Sequence, residues 1–519
     1  MSGPTAKTST PYRVITDLLR EHARHHPERT ALICGDERLT YAQLDELADR
    51  VAASLQRDGI APGDAIAICS QTSLRYVAVF LGALRAAVVV VPLPLGAASN
   101  TMLSVLADAQ ARLLFADTDG IGVLAGQKSS IRCVAMQDTG PGWAYASWLL
   151  PVLASPRAVE LPPEAPFNII YSSGTTGEPK GIVQSHGMRW AHVDRGSKFG
   201  YGPDTVALLA TPLYSNTTLV VLFPTLAFGG TIVLSPKFDG AHFLALAERH
   251  RMTHTMLVPV QYQRIMALPQ FASRDLSSTQ MKFCTSAPFD ASLKADVLRR
   301  WPGGLIEFYG LTEGGGTCIL VAHDYPSKLH TVGRPAPGHD VRLIDDAGRE
   351  LPPGATGEIV GHSPGMMTGY HRRPERTREA EWFDQHGRRF IRTGDIGRFD
   401  EDGFLVLLDR KKDMLISGGF NVYPSDLEGV LRTHAEVAET AVVGVPSRRW
   451  GESPVAFVVL RPGSTLTEAD LLAWTNSHVG KIQRLERLYV VDGLPRSAIG
   501  KVLKRELRQR HITSGLEPT

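Results

Sequence analysis

The chain has 519 residues, more than one hydrophobic core normally holds, so two or more domains are expected. Its 55 lysines and arginines nearly balance 53 acidic residues, and the formal net charge of +2 gives no reason to expect a nucleic acid or an acidic membrane as partner. The five cysteines are scattered, and the first residues lack the apolar core of a signal peptide. These features favour a cytoplasmic protein with reduced thiols.

Helices and strands alternate through the first hundred residues. Thr40 and Gln43 have the spacing of a capping box at the start of one helix. The predicted elements are a helix within 12–26, a strand over 31–34, a helix from the capping box to about residue 57, a strand over 65–69, a helix over 73–86 and a strand over 87–91. Continuously apolar strands separated by helices are typical of a parallel sheet covered on both faces.

The most apolar stretch of the chain runs from Tyr76 to Leu95. Arg85, Pro92 and Pro94 interrupt it. A buried helix followed by a strand is therefore predicted here, and no integral membrane segment is expected.

Polar loops follow three predicted strands in the middle of the chain. They cover residues 172–180, 286–288 and 310–316, after strands predicted over 167–170, from 281 and over 306–309. In open α/β sheets, ligands bind at the carboxyl ends of the strands. These three loops are therefore the first candidates for a ligand site.

The pattern changes near residue 330, where short strands separated by Pro and Gly turns predict a β-rich subdomain. The charged run 409–413 is typical of an exposed linker. Beyond it, Ser425 and Glu428 have capping-box spacing, and strands alternate with helices. The predicted fold is therefore α/β, with a large N-terminal domain of several subdomains built on parallel sheets, and a small α+β C-terminal domain.

Residues 171–181 combine three glycines, four serines and threonines, and one lysine. Glycine lets backbone N–H groups approach a ligand, while hydroxyls and a lysine add donors and charge, which suits a polyphosphate. The spacing is not that of the Walker loop, because Gly181 follows Lys180. By composition alone, a flexible surface loop is an equal alternative.

The full string from Tyr171 to Gly181 resembles the phosphate loop of the adenylate-forming superfamily, which includes acyl-CoA synthetases, peptide-synthetase adenylation domains and luciferases. The resemblance extends over nearly the whole chain, with five motifs in the family's order. It implies an ATP site to which this loop contributes Ser172, Ser173, Gly174, Thr175, Thr176, Gly177 and Lys180.

The segment Glu307-Phe308-Tyr309-Gly310-Leu311-Thr312-Glu313 is similar to the family's second signature. An aromatic ring offers a stacking face for adenine, and a carboxylate beside a polyphosphate suits Mg²⁺. The resemblance implies that Tyr309 stacks on the base, Thr312 contacts the α-phosphate and Glu313 binds the metal. Glu307, Phe308 and Gly310 accompany them, and Ser286, Ala287 and Pro288 lie on the other side of adenine.

Two further motifs imply nucleotide contacts in the last third of the chain. Arg392-Thr393-Gly394-Asp395 resembles the signature whose aspartate accepts hydrogen bonds from both ribose hydroxyls. Arg410 matches an arginine that also reaches the nucleotide, and Lys412 falls at the family's hinge position. The resemblance therefore implies an N-terminal domain over 1–409, a hinge over 410–412 and a mobile C-terminal domain over 413–519.

The C-terminal domain also carries motifs for catalysis and for the acceptor thiol. Pro495 to Lys501 matches the signature that places one lysine, here Lys501, in the adenylation site. Gly418 and Gly419 match the loop that lines the thiol channel. Trp450 and Arg484 fall at positions that touch CoA in aryl-CoA ligases.

The acid pocket is the least specified part of the site. It is expected to carry little charge, so a second carboxylate on the substrate is disfavoured. The glycines after Glu313 would leave room for a ring or a medium acyl chain. The expected lining is Tyr214, Ser215, Asn216, Gln261, Leu311, Gly314, Gly315 and Gly316.

Together these features imply an AMP-forming acid–CoA ligase that uses ATP, Mg²⁺ and CoA and works as a monomer or a homodimer. Aryl or phenylpropenoid acids and medium-chain fatty acids are both open as substrates. One alternative is an enzyme that loads a separate carrier protein, although no carrier segment is expected after residue 519. The other is a non-catalytic ATP-binding relative, against which the complete set of Lys501, Asp395 and Glu313 argues.

Overall fold

A computed structural model of the protein describes residues 10–124, 131–138, 142–173, 179–417, 420–447, 450–497 and 500–513. The chain forms two compact units. The first unit comprises Met1–Leu329, Ala336–Asp340 and Gly361–Ile391. The second comprises His330–Pro335, Val341–Val360 and Arg392–Thr519.

The helices lie on both sides of the sheets that they accompany in sequence. They are α1 (Ile15–His25), α2 (Tyr41–Arg57), α3 (Leu74–Arg85), α4 (Ser99–Asp108), α5 (Thr118–Gly122), α6 (Tyr145–Trp148), α7 (His186–Gly196), α8 (Asn216–Ala227), α9 (Gly240–Arg249), α10 (Pro259–Met266), α11 (Ala291–Arg300), α12 (Pro374–Glu379), α13 (Pro424–Arg432), α14 (Glu468–Ser477) and α15 (Lys504–Thr513).

The strands of the first half are β1 (Thr30–Cys34), β2 (Glu37–Thr40), β3 (Ala65–Cys69), β4 (Val89–Pro92), β5 (Leu113–Ala116), β6 (Arg132–Ala135), β7 (Trp143–Ala144), β8 (Pro166–Ser173), β9 (Pro179–Ser185), β10 (Val206–Leu209), β11 (Thr231–Leu234), β12 (His254–Leu257), β13 (Met281–Cys284) and β14 (Gly304–Tyr309). The strands that follow are β15 (Cys318–Val321), β16 (Arg334–Pro335), β17 (Asp340–Ile344), β18 (Thr356–His362), β19 (Gly369–Tyr370), β20 (Glu381–Phe383), β21 (Arg389–Phe399), β22 (Leu405–Arg410), β23 (Leu415–Ser417), β24 (Phe420–Val422), β25 (Val437–Ser447), β26 (Gly451–Leu460) and β27 (Arg487–Val490).

One large sheet of the first unit runs in the order β15-β14-β13-β12-β10-β11-β1-β2. Its central pairs are parallel, and β14–β15 and β1–β2 are antiparallel. The parallel neighbours β13 and β14 end at Cys284 and Tyr309, so the loops 286–288 and 310–316 leave the same edge. This confirms the parallel sheet and puts two of the candidate loops side by side.

The other large sheet of this unit runs in the order β19-β9-β8-β4-β3-β5-β6-β7. Strands β3, β4, β5 and β8 pair in parallel, whereas β8 and β9 form an antiparallel hairpin around residues 174–178. The short strand β19 pairs antiparallel with β9.

The core of the first unit is built from helices that are apolar on most sides. Every residue of α3 except Arg75 is buried, and β4 follows it, so the stretch from Tyr76 to Leu95 is the buried helix and strand that the sequence predicts. Arg85 lies inside this core, where it pairs with Asp45 and Asp49 on α2. Among the described residues, no helix combines the length and the apolarity needed to cross a bilayer.

The second unit contains the antiparallel pair β21–β22 and a sheet in the order β24-β23-β26-β25, with β27 beside β26. Apolar side chains fill both faces of that sheet. One face packs against α13 and α14 through Leu427 and Leu471, and the other packs against α15 through Leu507.

The two predicted capping boxes have different outcomes. Thr40 and Gln43 form one at the start of α2, as predicted. The second prediction is wrong: Tyr423 precedes α13 and no side chain caps it. Ser425 instead donates its hydroxyl to the carbonyl of Leu408, and Glu428 accepts a hydrogen bond from the Val442 N–H. Tertiary partners therefore outcompete the local pattern.

All five cysteines are free thiols, as expected. Cys69, Cys284 and Cys318 are buried, and Cys34 and Cys133 are half-buried. Burial raises the pKa of the Cys69 thiol to about 12, so this thiol stays protonated and packs as an apolar group.

Candidate active site

The β8–β9 hairpin frames the predicted phosphate loop. Its register pairs Tyr171 with Gly181 and Ser172 with Lys180. Residues 174–178, which include Gly174, Thr175, Thr176 and Gly177, lie outside the described residues, as do the side chains of Ser172 and Ser173.

Gly181 has a packing role rather than the loop role that its place in the motif suggested. It lies within β9, and a Cβ there would be 2.8 Å from Ile169 Cγ2 and 2.9 Å from Tyr171 Cζ. Glycine therefore makes room for the Tyr171 ring.

Three side chains are aligned beside this hairpin. The Lys180 ammonium lies 5.3 Å from the centroid of the Tyr370 ring. The Tyr370 hydroxyl donates a hydrogen bond of 3.0 Å to Glu313 Oε1. Burial, followed by the Glu313 charge, raises the pKa of Tyr370 above its usual value, so the phenol remains a donor. The Glu313 carboxylate is thus held in one orientation near a cation.

The backbone of Thr312 is fixed by a buried amide. Gln184 Nε2, on β9, donates a hydrogen bond of 2.8 Å to the Thr312 carbonyl. The Gln184 Oε1 accepts from the guanidinium of Arg189, on α7. Gln184 is completely buried, so this bridge rigidly connects the hairpin to the loop after β14.

The end of β14 places successive side chains on opposite faces. Tyr309 is buried to 8% exposure, and Phe308 packs edge-on against Phe199, with ring centroids 5.4 Å apart. The side chain of Glu307 forms a buried ion pair with Lys294. Burial raises the pKa of Glu307 to about 7, although Lys294 opposes the shift. The Glu307 carboxylate is thus engaged within the core.

The loop 286–288 carries local backbone strain. Ser286 has a φ of +80°, a left-handed conformation that costs a non-glycine residue roughly 1–2 kcal/mol. Its hydroxyl lies 2.6 Å from Thr217 Oγ1, at the start of α8. Thr285 Oγ1 donates to the Phe308 carbonyl at 2.9 Å, which ties this loop to β14. Strain of this kind is concentrated at functional sites. Ala287 and the exposed Pro288 follow on the same loop.

Gly314 and Gly315 pack closely against neighbouring backbone. Both have positive φ, +76° and +87°. A Cβ on Gly314 would collide with the carbonyl oxygen of Gly365, and one on Gly315 would lie 2.9 Å from that of Gly361. These two glycines are therefore required by close backbone packing. Their Cβ directions face protein backbone, and their place in the lining of the acid pocket stays a prediction.

Three of the other expected pocket residues, Tyr214, Ser215 and Asn216, lie at the start of α8. Ser215 caps this helix by accepting from the Thr217 N–H, and Asn216 Oδ1 is buried without a hydrogen-bond partner among the described residues. Burial raises the pKa of the Tyr214 phenol. The Gln261 side chain accepts a hydrogen bond from the Val258 N–H and donates one to the Ala210 carbonyl. The remaining members, partly buried Leu311 and buried Gly316, and Gly310 before them, lie on the loop after β14.

In the second unit, Asp395 faces Arg410. The two residues are partners in the β21–β22 register, and Arg410 Nε lies 3.1 Å from Asp395 Oδ1. Asp395 is 8% exposed. A carboxylate has several acceptor sites, so one oxygen can pair with arginine while others accept hydroxyl donors.

Lys501 is presented by a tight turn of the same unit. The Ser497 N–H donates to the Lys501 carbonyl at 2.8 Å, and the Lys501 N–H donates to Ser497 Oγ at 3.2 Å. The side chain reaches solvent, yet surrounding protein lowers its pKa to about 8, with further lowering by Arg410 and Lys412. Ammonium and neutral amine are thus both accessible near physiological pH.

The remaining candidates of the second unit are exposed. Lys412 lies in the turn between β22 and β23, where burial and then Arg410 and Arg508 outweigh Asp413 and lower its pKa. Trp450, 43% exposed, precedes β26, and Arg484 is exposed before β27. Gly418 and Gly419 lie outside the described residues.

Glu313 is a single carboxylate and not part of a metal cluster. Across the described ranges, no group of three or more His, Cys, Asp or Glu could hold a metal ion. One fixed carboxylate fits Mg²⁺, which proteins commonly bind through one or two carboxylates together with substrate phosphates and water.

Sequence reasoning missed Tyr370, Gln184 and Arg189. Tyr370 reaches Glu313 through β19, far along the chain, and no local pattern marks that pairing. Gln184 and Arg189 come shortly after the phosphate loop in the sequence, but no motif marks them as the residues that hold Thr312.

Comparison with known proteins covers both units. The sequence model described as AMP-binding enzyme matches residues 19–371, and the one described as AMP-binding enzyme C-terminal domain matches residues 426–501. Feruloyl-CoA synthase of Amycolatopsis sp. is 35% identical over 504 residues, which cover 94% of this chain and 97% of the relative. The fatty acid–[acyl-carrier-protein] ligase ScoC of Streptomyces coeruleorubidus is 32% identical, covering 94% and 95%.

The fold also matches a solved structure along its length. The amide bond synthetase McbA of Marinactinospora thermotolerans superposes with a TM-score of 0.85 at 30% identity, covering 96% of this chain and 99% of that chain. Family match, relatives and fold agree over both units: the chain belongs to the AMP-binding enzyme family, among the AMP-forming ligases of the adenylate-forming superfamily.

Proposed function

We propose that this chain is an AMP-forming acid–CoA ligase. It activates a hydrophobic carboxylic acid with ATP as acyl-AMP and then transfers the acyl group to the thiol of CoA. The proposal rests on one observation above all: the Glu313 carboxylate is fixed by the Tyr370 hydroxyl beside Lys180, at the hairpin that carries the phosphate-loop sequence.

The first half-reaction brings two anions together, since a carboxylate must attack the α-phosphorus of ATP. The protein has to neutralise charge and align the groups. Lys180 supplies a cation for the phosphates, and Glu313 would hold Mg²⁺, which neutralises phosphate charge when bound. The Gln184 bridge keeps Thr312 in register with the hairpin, so that its hydroxyl can contact the α-phosphate.

Other residues take roles in binding the nucleoside. Tyr309 would stack on adenine, with the strained loop 286–288 on the other side of the base. Asp395, paired with Arg410, would accept both ribose hydroxyls.

Lys501 would act in adenylation by holding the acid carboxylate and the ribose side in place. Its role requires the ammonium form, which the lowered pKa makes sensitive to mildly alkaline pH. The thiol needs access to the same carbon in the second half-reaction. We therefore assign Lys412 as the pivot of a rotation that replaces Lys501 by the thiol channel at Gly418 and Gly419.

The acid is expected to be aryl or phenylpropenoid, with a medium-chain acid as the other option. Support for an aromatic acid comes from similarity to a feruloyl-CoA synthase. The partly buried Tyr214 at the start of α8 offers an aromatic wall. The five free thiols fit a reducing, cytoplasmic setting.

The acceptor is the second open choice. Exposed Trp450 and Arg484 provide a stacking face and a cation suited to the CoA nucleotide and its phosphates. Loading of an acyl carrier protein is the alternative, and the similarity to ScoC supports it.

Two assays test the proposal in sequence. ATP–pyrophosphate exchange is measured with a panel of aryl and medium-chain acids, and at least one acid should drive exchange well above the rate without acid. AMP release and thioester formation are then measured with CoA and with a carrier protein in separate reactions. Absence of exchange with every acid would contradict the ligase, and thioester formation with the carrier alone would select the alternative.

A further inference from the structure

Helix α7 of the first unit carries a row of basic side chains at intervals of three residues: Arg189, His192 and Arg195. This spacing puts neighbouring members of the row on one side of the helix. Within the described part of the chain, none of the three pairs with a carboxylate. The cluster does not appear in any motif described above.

Arg189 is the structural member of the row. It is 1% exposed, and its guanidinium donates to Asn168 Oδ1 at 3.2 and 3.3 Å and to Gln184 Oε1. Burial lowers the pKa of Arg189 to about 9. All of its partners are neutral, so its charge remains uncompensated.

His192 is held as a neutral donor. The Arg189 guanidinium lies 3.5 Å from His192 Nδ1, and arginine can only donate, so Nδ1 carries the lone pair and Nε2 carries the proton. Burial, then Arg195 and Arg189, keeps the pKa of His192 well below its usual range. The Nε2–H has no partner among the described residues.

Arg195 is the free member of the row. Its guanidinium lies 5.3 Å from the centroid of the Phe308 ring and makes no hydrogen bond to any described residue. Burial lowers the pKa of Arg195 to about 10, so it stays charged at neutral pH. A guanidinium with five donors and no acceptor is an incomplete arrangement.

His339 completes the cluster from another segment of the unit. The Thr317 N–H donates to His339 Nδ1 at 2.9 Å, so the neutral ring again carries its proton on Nε2. Burial, then Arg195, His362 and Lys198, lowers the pKa of His339 to about 4. Thr317 directly follows Gly316, the last expected residue of the acid pocket, which puts the cluster next to that wall.

Burying a charge without a counter-charge is costly, and donors without acceptors add to the cost. An anionic ligand oxygen would supply both the missing counter-charge and the missing hydrogen-bond acceptor. We propose that Arg195, flanked by the Nε2–H groups of His192 and His339, binds an anionic oxygen at the end of the acid remote from the reacting carboxylate. The group is a second carboxylate, or a phenol bound as its phenolate.

This proposal rests on the ligase function and names the class of acid that it uses. It also reverses the expectation from sequence that the pocket carries little charge. That expectation considered the loops alone, whereas the charges come from α7 and from His339.

The test compares acids that differ only in the remote oxygen. The first pair is 4-hydroxycinnamate and cinnamate, and the second is hexanedioate and hexanoate. For wild type, kcat/KM in ATP–pyrophosphate exchange should favour the oxygen-bearing member of at least one pair by about tenfold or more, since a site built to hydrogen-bond an oxygen rejects the analogue without it. The pair that shows the preference identifies the oxygen.

Arg195→Met should remove most of this preference while changing kcat/KM for the plain acid less than about threefold. Arg195→Lys should restore part of it. Lys198→Met, an exposed cation close to the same cluster, is the matched control and should leave both acids unchanged. His339→Leu removes one donor and no charge, and it gives a second measure if Arg195→Met does not fold.

Equal losses for both members of a pair in Arg195→Met, or no preference in wild type when plain acids drive exchange, would overturn the remote subsite and leave the ligase intact. If no acid drives exchange, both the remote subsite and the proposed ligase function are overturned.

Discussion

In the first unit the Glu313 carboxylate is held by a neighbouring hydroxyl, whereas in the second unit burial and two nearby cations, opposed by two carboxylates, lower the pKa of Lys501. The first arrangement fixes the orientation of the Glu313 carboxylate and requires no change in its protonation. The second leaves a side chain on a turn, with its pKa lowered to about 8. Under the proposed function, the first would serve as a preorganised binding surface and the second as a catalytic group whose charge depends on pH.

The largest effect is expected from removal of the adjustable group. Lys501→Ala should lower ATP–pyrophosphate exchange by on the order of 100-fold or more, because the cation that aligns the carboxylate is lost. Conversion of supplied acyl-AMP and CoA to thioester should remain within about threefold of wild type. Lys501→Arg keeps the charge and serves as the matched control. If a folded Lys501→Ala variant lost both half-reactions equally, Lys501 would not be specific to adenylation.

The next largest effect is expected at Asp395, which pairs with Arg410 in the second unit. Asp395→Ala should raise the KM for ATP by on the order of 100-fold, because each charge-assisted hydrogen bond to ribose is worth roughly 1.5–3 kcal/mol. Asp395→Asn, which keeps one acceptor oxygen, should lie between this variant and wild type. An unchanged KM for ATP in Asp395→Ala would exclude this residue from nucleotide binding.

A smaller effect is expected for the first unit's orienting hydroxyl. Tyr370→Phe keeps the ring beside Lys180 and removes only the hydrogen bond to Glu313. Exchange should fall about tenfold, and the Mg²⁺ concentration for half-maximal rate should rise, since a hydrogen bond to a charged group contributes roughly 1.5–3 kcal/mol. Titration of exchange with Mg²⁺ measures both quantities. A variant indistinguishable from wild type would mean that Glu313 does not need this partner.

The smallest effect on chemistry is expected at Gly315. Gly315→Ala should lower the free energy of unfolding by about 1–3 kcal/mol, from positive φ and from contact with the Gly361 carbonyl. Gly354→Ala is the matched control, because Gly354 has a φ of +81° and nothing within 4 Å. Denaturant unfolding of both variants measures the difference. Equal losses would mean that crowding at Gly315 contributes nothing to stability.

Much of the fold could be predicted from sequence because it follows from local patterns. The capping box of Thr40 and Gln43 and the strand over 65–69 are where their side chains predict them. The prediction at Ser425 is wrong because tertiary partners take both side chains of its capping box.

Site residues within motifs could be proposed from sequence, but partners outside them could not. Tyr370 orients Glu313 from a strand more than fifty residues further along. His339, on a separate loop, lies close enough to Arg195 for that charge to lower the pKa of its ring. Such contacts depend on how strands and helices pack, which periodicity does not encode. Gly315 shows a different limit, because its close contact with the Gly361 carbonyl is visible only in the structure.

The role of the Lys501 ammonium in adenylation is tested most directly in the wild-type protein, because no residue is replaced. The ammonium of Lys501 predominates below its pKa of about 8 and is lost above it, so ATP–pyrophosphate exchange should fall as pH rises through about 8. Thioester formation from supplied acyl-AMP should not fall over that range, because it does not use the ammonium and the CoA thiol becomes more ionised. An alkaline decline shared by both half-reactions, or an exchange rate that is flat to beyond pH 9.5, would contradict the role assigned to Lys501.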